Sequence, residues 1–198
     1  MNHLATSKED ILAASRDLIK ENGWAAVSIR AVASRCSVSA GTIYNYYESK
    51  ADLLSDTIES IWHEIFFHPE DEQVFHDVES CISWIYERLE YGNRQFPGFF
   101  SLHSFGFMRD EKTSGKKRMM KTWGHILNGL CEVLGNDPKV RADVFDQEFT
   151  EKQFADILFS LILVSMIRQD YDPSSVLMLV KKTLYVTVQS QAKFQKQV

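Results

Sequence analysis

Proline and glycine are scarce, at four and nine in 198 residues. With so few chain breakers, and with apolar residues recurring at helical spacing, the chain reads as all-α. Cysteine is sparse too. Cys36, Cys81 and Cys131 are widely spaced, odd in number and form no Cys-x-x-Cys pair. That argues against a disulfide framework and gives a metal site no support. The three read as small buried hydrophobes. No run of about 18 apolar residues occurs, so no spanning helix is expected. The longest apolar stretch, residues 157–167, is broken by Ser160 and Ser165. The amino-terminal residues, Asn2, His3 and Lys8 among them, lack the apolar centre of a signal peptide, which makes the cytoplasm the expected location. A glycine-rich phosphate loop, a nucleophile elbow and a carboxylate constellation are all missing. The six histidines lack metal-ligand spacing; His63 and His68 lie five apart. Catalytic residues, a metal and a cofactor are therefore not expected, and an enzyme is not the reading.

The formal net charge is −5. It is unevenly spread. Residues 1–50 hold six Lys or Arg against five Asp or Glu, for +1, and the other 148 residues hold 16 against 22, for −6. A near-neutral head on an acidic body suits a specific partner better than purely electrostatic adhesion to nucleic acid.

The head resolves into three helices, at about 7–22, 28–36 and 39–47. Ser7 with Asp10 forms a capping-box pattern, and Ile11, Ala14, Leu18 and Ile19 make an apolar stripe. Gly23 stops the first helix. Ser28 caps the second and Ser39 the third. Ile29, Val32 and Ala33 point inward, as do Ile43 and Tyr47. Ser49-Lys50-Ala51-Asp52 opens a fourth helix, which Pro69 ends. Further helices are expected at about 71–94, 116–134, 150–168 and 172–193, about nine in all. A Pro97-Gly98 break and a short aromatic segment at 99–108 lie between the first two. The domain boundary is placed at residue 50, with residues 51–198 as a larger helical domain.

Two short helices joined by a tight turn, the second bearing small and tyrosine side chains, have the chemistry of an element laid in the major groove of DNA. Ser39, Ala40 and Gly41 keep the entering turn slim. Thr42 and Asn45 point outward toward base edges, and Asn pairs with adenine in bidentate fashion. Tyr44 and Tyr46 offer hydroxyls to phosphates. Lys50 brings a cation to the start of the fourth helix, where backbone N–H groups are free. Ser28 and Arg30 would hold the opposite backbone, with guanine also within reach of Arg30.

The segments Leu12-Ala13-Ala14, Gly23-Trp24, Val27 to Ala33, Val38 to Tyr47 and Ser49 to Leu54 resemble the N-terminal domain of TetR/AcrR-type transcriptional regulators. The resemblance is continuous over about residues 7–55. Two positions depart from it: the family usually has Gly where this chain has Ser37, and Phe where it has Tyr47. Ser37 is expected at positive φ. The rest of the chain matches only in helical pattern.

The resemblance implies a cytoplasmic homodimer on a double-stranded, palindromic operator, acting as a repressor released by a small-molecule effector. The alternative is an interaction protein of the same fold that binds a protein partner instead. The helix at 150–168 is apolar on nearly every face and so must be buried on more than one side. Phe154, Leu158, Leu161 and Ile162 from it, with Val176, Val180 and Leu184 from the last helix, are the expected dimer residues. Trp84, Tyr91, Phe99, Phe100, His103, Phe107, Trp123 and Leu127 are the expected ligand contacts. The basic run Lys112, Lys116, Lys117, Arg118 and Lys121 reads as a solvated helix start.

Overall fold

The computed structural model describes residues 6–66, 75–100 and 114–185, the last segment without side chains for 114–122. All regular structure among these residues is helical, in eight α-helices. The chain divides into two compact units. One comprises residues 1–71 and 88–123, the other residues 72–87 and 124–198. Compactness thus divides the chain differently from a cut at residue 50.

The first unit begins with α1, Lys8–Asn22, opened by a reciprocal capping box between Ser7 and Asp10. Gly23 stops it at φ 76°, its N–H reaching Ile19 O at 2.8 Å. A 3-10 turn, Trp24–Ala26, leads to Ser28, whose side chain caps α2, Ile29–Arg35. The exit from α2 is a Schellman turn. Val38 N–H reaches back to Ala33 O at 2.9 Å and Ser37 N–H to Ser34 O at 3.1 Å. Such a turn needs a left-handed residue, and Ser37 supplies it at φ 57°. Serine strains there where glycine does not. Ser37→Gly is therefore expected to raise stability by about 0.5 kcal/mol, after the larger backbone entropy of glycine in the unfolded chain is offset. The midpoint of urea unfolding checks this.

Helix α3, Ala40–Tyr44, is shorter than expected. After Tyr44 the chain tightens: Asn45 N–H bonds Thr42 O and Tyr46 N–H bonds Ile43 O, both three residues back, at 3.2 and 3.0 Å. Five residues cannot hold a helix by themselves. Ile43, with no exposed surface, and Tyr47, nearly buried, anchor it among Val32, Ala33, Ile11 and Leu53 of the same core. Ser49 and Asp52 then cap α4, Lys50–Phe66. Trp62 of α4 sits 5.5–5.6 Å from the rings of Phe66, Phe99 and Phe100, and Phe99 lies 6.2 Å from Trp24. Arg88 donates to the last carbonyls of α4, those of Glu64 and Ile65.

Helix α5 spans Val78–Gln95, not 71–94. Residues 75–77 are non-helical, and Asp77 caps the helix by accepting the Ser80 N–H at 2.7 Å. Lys139 and that cap hold the Asp77 carboxyl down at about 2. Helix α6 runs Ser114–Asn136. Thr150 and Gln153 form the capping box of α7, Glu151–Arg168, and Gln169 closes it in a left-handed conformation. Asp172 accepts the Ser174 N–H at the start of α8, Ser174–Val180, which passes into a π-helical turn, Lys181–Tyr185. The expected continuation to residue 193 lies outside the described residues. So do Pro69, the start of the helix expected at residue 71, residues 101–108 of the aromatic segment and the side chains of the basic run. No helix among the described residues is long and apolar enough to cross a membrane.

Cys81 is buried, which pushes its thiol up to about 12. Cys36 and Cys131 are half-buried rather than buried.

Candidate nucleic-acid interface

The ten side chains expected at DNA all reach the surface of the head. Arg30, Ser39, Gly41, Tyr44, Asn45, Tyr46 and Lys50 are exposed, and Ser28, Ala40 and Thr42 are half-buried. Burial of Ile43 and Tyr47 dictates this. Once those two positions turn inward, Tyr44, Asn45 and Tyr46 between them must turn out. Tyr44 is 55% exposed, a large area for an aromatic side chain to leave in water.

Several of these groups also serve the fold. Ser28 Oγ accepts the Ala31 N–H at 3.1 Å, and Ser39 Oγ accepts the Thr42 N–H at 3.2 Å. The Ser39 and Thr42 hydroxyls lie 3.0 Å apart and share a hydrogen bond. The Tyr46 hydroxyl donates to Thr6 O, tying the start of the chain to the end of the third helix. No local pattern announces that bond, since its partners are 40 residues apart.

Gly41 has a helical backbone. A Cβ there would meet only Ser39 Oγ, at an ordinary 3.5 Å. Glycine costs a helix about 1 kcal/mol against alanine, so the fold does not ask for it.

The electrostatics of the head are set by internal pairing. Lys8 lies 2.5 Å from Asp56. Arg16 meets Glu9 and Glu64, each at 3.1 Å, and Lys20 meets Glu64 at 2.7 Å. Arg35 pairs with Glu21 and lowers that carboxyl below its ordinary range. Among the described residues, Arg30 and Lys50 enter no ion pair. Burial raises the Cys36 thiol beside the turn, so it stays protonated.

The residues expected at a ligand fall in both compact units. Phe99 and Phe100 are built into the aromatic core of the first unit, their rings 5.1 Å apart and packed on Trp62. Both are buried. Tyr91, in the same unit, lies under the Arg88 guanidinium at 4.6 Å. Trp84 belongs to the second unit, against Phe75 at 5.2 Å. Trp123 and Leu127 are half-buried. His103 and Phe107 lie outside the described residues.

The expected dimer residues all belong to the second unit. Phe154, Leu158, Ile162, Val176, Val180 and Leu184 are buried within the chain itself. They belong to the core of the second unit. Leu161 is half-buried. The apolar side chains that remain exposed on α7 and α8 are Ile157, Val164, Ile167, Met178 and Leu179. On α7 they lie opposite the buried row of Phe154, Leu158 and Ile162. The sequence showed an all-round apolar helix without saying which side faces inward.

Comparison with known proteins agrees with the geometry of the head. Residues 11–57 match the family model described as bacterial regulatory proteins, tetR family. The HTH-type transcriptional regulator UidR of Escherichia coli (strain K12) is 38% identical over 48 residues, which is 24% of this chain and 24% of that protein. The chain thus matches about a quarter of the length of its curated relatives. Over nearly the whole chain the fold is similar to that of a transcriptional regulator from Rhodococcus sp. Rha1, with a TM-score of 0.66 at 16% identity over 92% of this chain and 100% of that one. It is also similar to the transcriptional regulator FadR from Bacillus subtilis in complex with stearoyl-CoA, with a TM-score of 0.59 at 17% identity over 88% and 97% of the two chains. At such identities the likeness is one of fold. Residues 11–57, the helix-turn-helix head, thus match the tetR family of bacterial regulatory proteins.

Proposed function

We propose that this chain is a cytoplasmic repressor that binds a palindromic operator as a homodimer and is released by a small-molecule effector held by the helices after residue 50. The outward turn of Tyr44, Asn45 and Tyr46 beside a buried Ile43 carries the DNA-binding part of this reading. Exposed Ile157, Val164, Ile167, Met178 and Leu179 support the dimer. Two heads on a two-fold axis would address half-sites about one helical turn apart. The effector reading draws support from the fold shared with a regulator in complex with stearoyl-CoA. Trp84, Tyr91, Trp123 and Leu127 are the aromatic and apolar positions of the expected set with surface to spare. Effector binding would favour a head arrangement that misfits the operator, shifting a population by its differential affinity.

The test is an anisotropy titration on the DNA upstream of the chain's own gene at about 100–150 mM salt, near physiological screening. Absence of sequence-specific binding overturns the proposal. The same titration repeated over salt reads the charge at the interface. With Arg30 and Lys50 the cations that enter no ion pair among the described residues of each head, a dimer neutralises few phosphates, and the slope of log K on log salt is expected at about −3 to −5. Lys50→Ala should weaken binding alike on every sequence and flatten the slope by about two in a dimer. Gly41→Ala separates fold from contact: the variant is expected to unfold later than the parent, yet to bind about tenfold more weakly as its methyl overfills the interface.

A further inference from the structure

The surface that would enter the groove is almost uncharged. Helix α3, Ala40–Tyr44, carries no ionisable group other than the Tyr44 phenol, and Ser39 and Asn45 flanking it are neutral. Four of the six cations of residues 1–50 are held by carboxylates of the same chain, namely Lys8, Arg16, Lys20 and Arg35. The exposed Glu48 reduces the positive field further. Arginine or lysine on guanine, the commonest specific contact, is therefore open only to Arg30 and to Lys50, whose place at the first residue of α4 suits a phosphate.

What α3 does offer is chemically narrow. Asn45 is exposed at the helix end, with an amide that both donates and accepts. Thr42 turns its Oγ1 back to Ser39, 3.0 Å away, so the hydroxyl is occupied within the turn and the γ-methyl is the branch left over. Ala40 adds a second methyl, half-buried at the first position of the helix. An amide in bidentate contact selects adenine, and methyl groups select the thymine C5-methyl.

We infer that each head reads A·T base pairs through neutral groups, Asn45 on adenine and the Thr42 and Ala40 methyls on thymine, with a single guanine contact from Arg30. The inference rests on the DNA-binding reading above and deepens it, because it states the base chemistry of the half-site.

The experiment uses the full chain and a random-sequence duplex library at about 150 mM salt, where non-specific attraction is weak. The expected consensus is a two-fold repeat whose half-site has an A·T core and one guanine. Three chemical edits of that consensus then test the contacts. Deoxyuridine in place of one thymidine deletes a methyl and should cost about threefold to fivefold at the Thr42 or Ala40 position. 7-Deazaadenine deletes the N7 acceptor and should cost about tenfold at one adenine, within the ~5- to 150-fold range of a bidentate pair. Asn45→Ala should abolish sensitivity to that edit, and Arg30→Ala should relax preference at the guanine alone. Both side chains are exposed, so both variants keep the fold. A consensus built on G·C pairs, or one indifferent to every thymidine edit, overturns the inference while leaving the regulator reading in place. A library that yields no consensus overturns the DNA-binding reading, and the inference with it.

Discussion

Replacing Asp137 with alanine is expected to lower the unfolding free energy by about 3–5 kcal/mol, the largest loss from any single polar residue of the second unit. Asp137 is only 6% exposed. Its Oδ2 accepts the N–H of Val78, the first residue of α5, at 2.9 Å, and also the hydroxyl of Tyr185. Its Oδ1 accepts the Lys139 N–H at 2.8 Å, and its own N–H bonds Val133 O at 3.0 Å as α6 ends. One carboxylate thus joins the start of α5, the end of α6 and the π-helical turn after α8. Alanine would strand three donors at once, each costing about 1–3 kcal/mol if water does not reach it. Tyr185→Phe removes a single bond and should cost about 1 kcal/mol. Asp137→Asn keeps the shape but turns an amide N–H₂ toward donors, and should fall between the two. Denaturant unfolding of the full chain orders the three variants. If Asp137→Ala costs no more than Tyr185→Phe, the carboxylate is not the junction described. Burial, and the Asp137 carboxylate beside it, push the Tyr185 phenol well above its usual range, so that bond persists at any working pH.

Asp137 shows where sequence reading stops. Its bonds reach 59 residues back to Val78 and 48 residues on to Tyr185, and no local pattern signals either. In the sequence it reads only as part of the Gly135-Asn136-Asp137-Pro138 stop. Features that depend on a few neighbouring residues were legible. Ser7, Ser28, Ser39, Ser49 and Thr150 all cap helices, since a capping side chain bonds N–H groups two or three positions away. The left-handed Ser37 was legible because the turn imposes it. The length of the third helix was not, because apolar spacing at Ile43 and Tyr47 fits both an α-helix and the tighter turn that follows Tyr44. The start of α5 was missed for a related reason: the acidic residues before Val78 look like a first helical turn, while Asp77 is the cap itself.

The interface residues divide along the same line. Small polar residues at fixed spacing place the exposed set of the head, whose orientation follows from two buried anchors. Pairing of Lys8, Arg16, Lys20 and Arg35 with Asp56, Glu9, Glu64 and Glu21 is a tertiary fact. It sharpens the near-neutral head of the sequence into a surface on which, among the described residues, Arg30 and Lys50 are the cations outside ion pairs. Ring content alone does not separate filling a core from lining a cavity, so the aromatic residues were less legible than the caps.

Charging the exposed face of α7 is expected to abolish dimerisation while leaving the chain folded. Val164 and Ile167 are 44% and 50% exposed, on the side opposite the buried row of Phe154, Leu158 and Ile162. Aspartate at both should be tolerated by a monomer, whose core it does not touch, but not by an apolar interface, where an unpaired charge costs several kcal/mol. The double variant Val164→Asp, Ile167→Asp should keep its helicity and unfold cooperatively, with a midpoint lowered only by the loss of the stabilisation that pairing gives the parent. It should sediment as a monomer. Its operator affinity should fall by about 10²–10⁴, because a half-site bound by one head no longer brings the second head to its neighbour. Leu158→Asp is the contrasting variant. It places a carboxylate in the core of the second unit, at a position with no exposed surface, and should unfold the chain rather than separate two copies. A double variant that still sediments as a dimer and holds the operator would move the interface off α7. A parent chain that sediments as a monomer while bound to a two-fold operator would instead assign pairing to the DNA, with each head recruited by its own half-site.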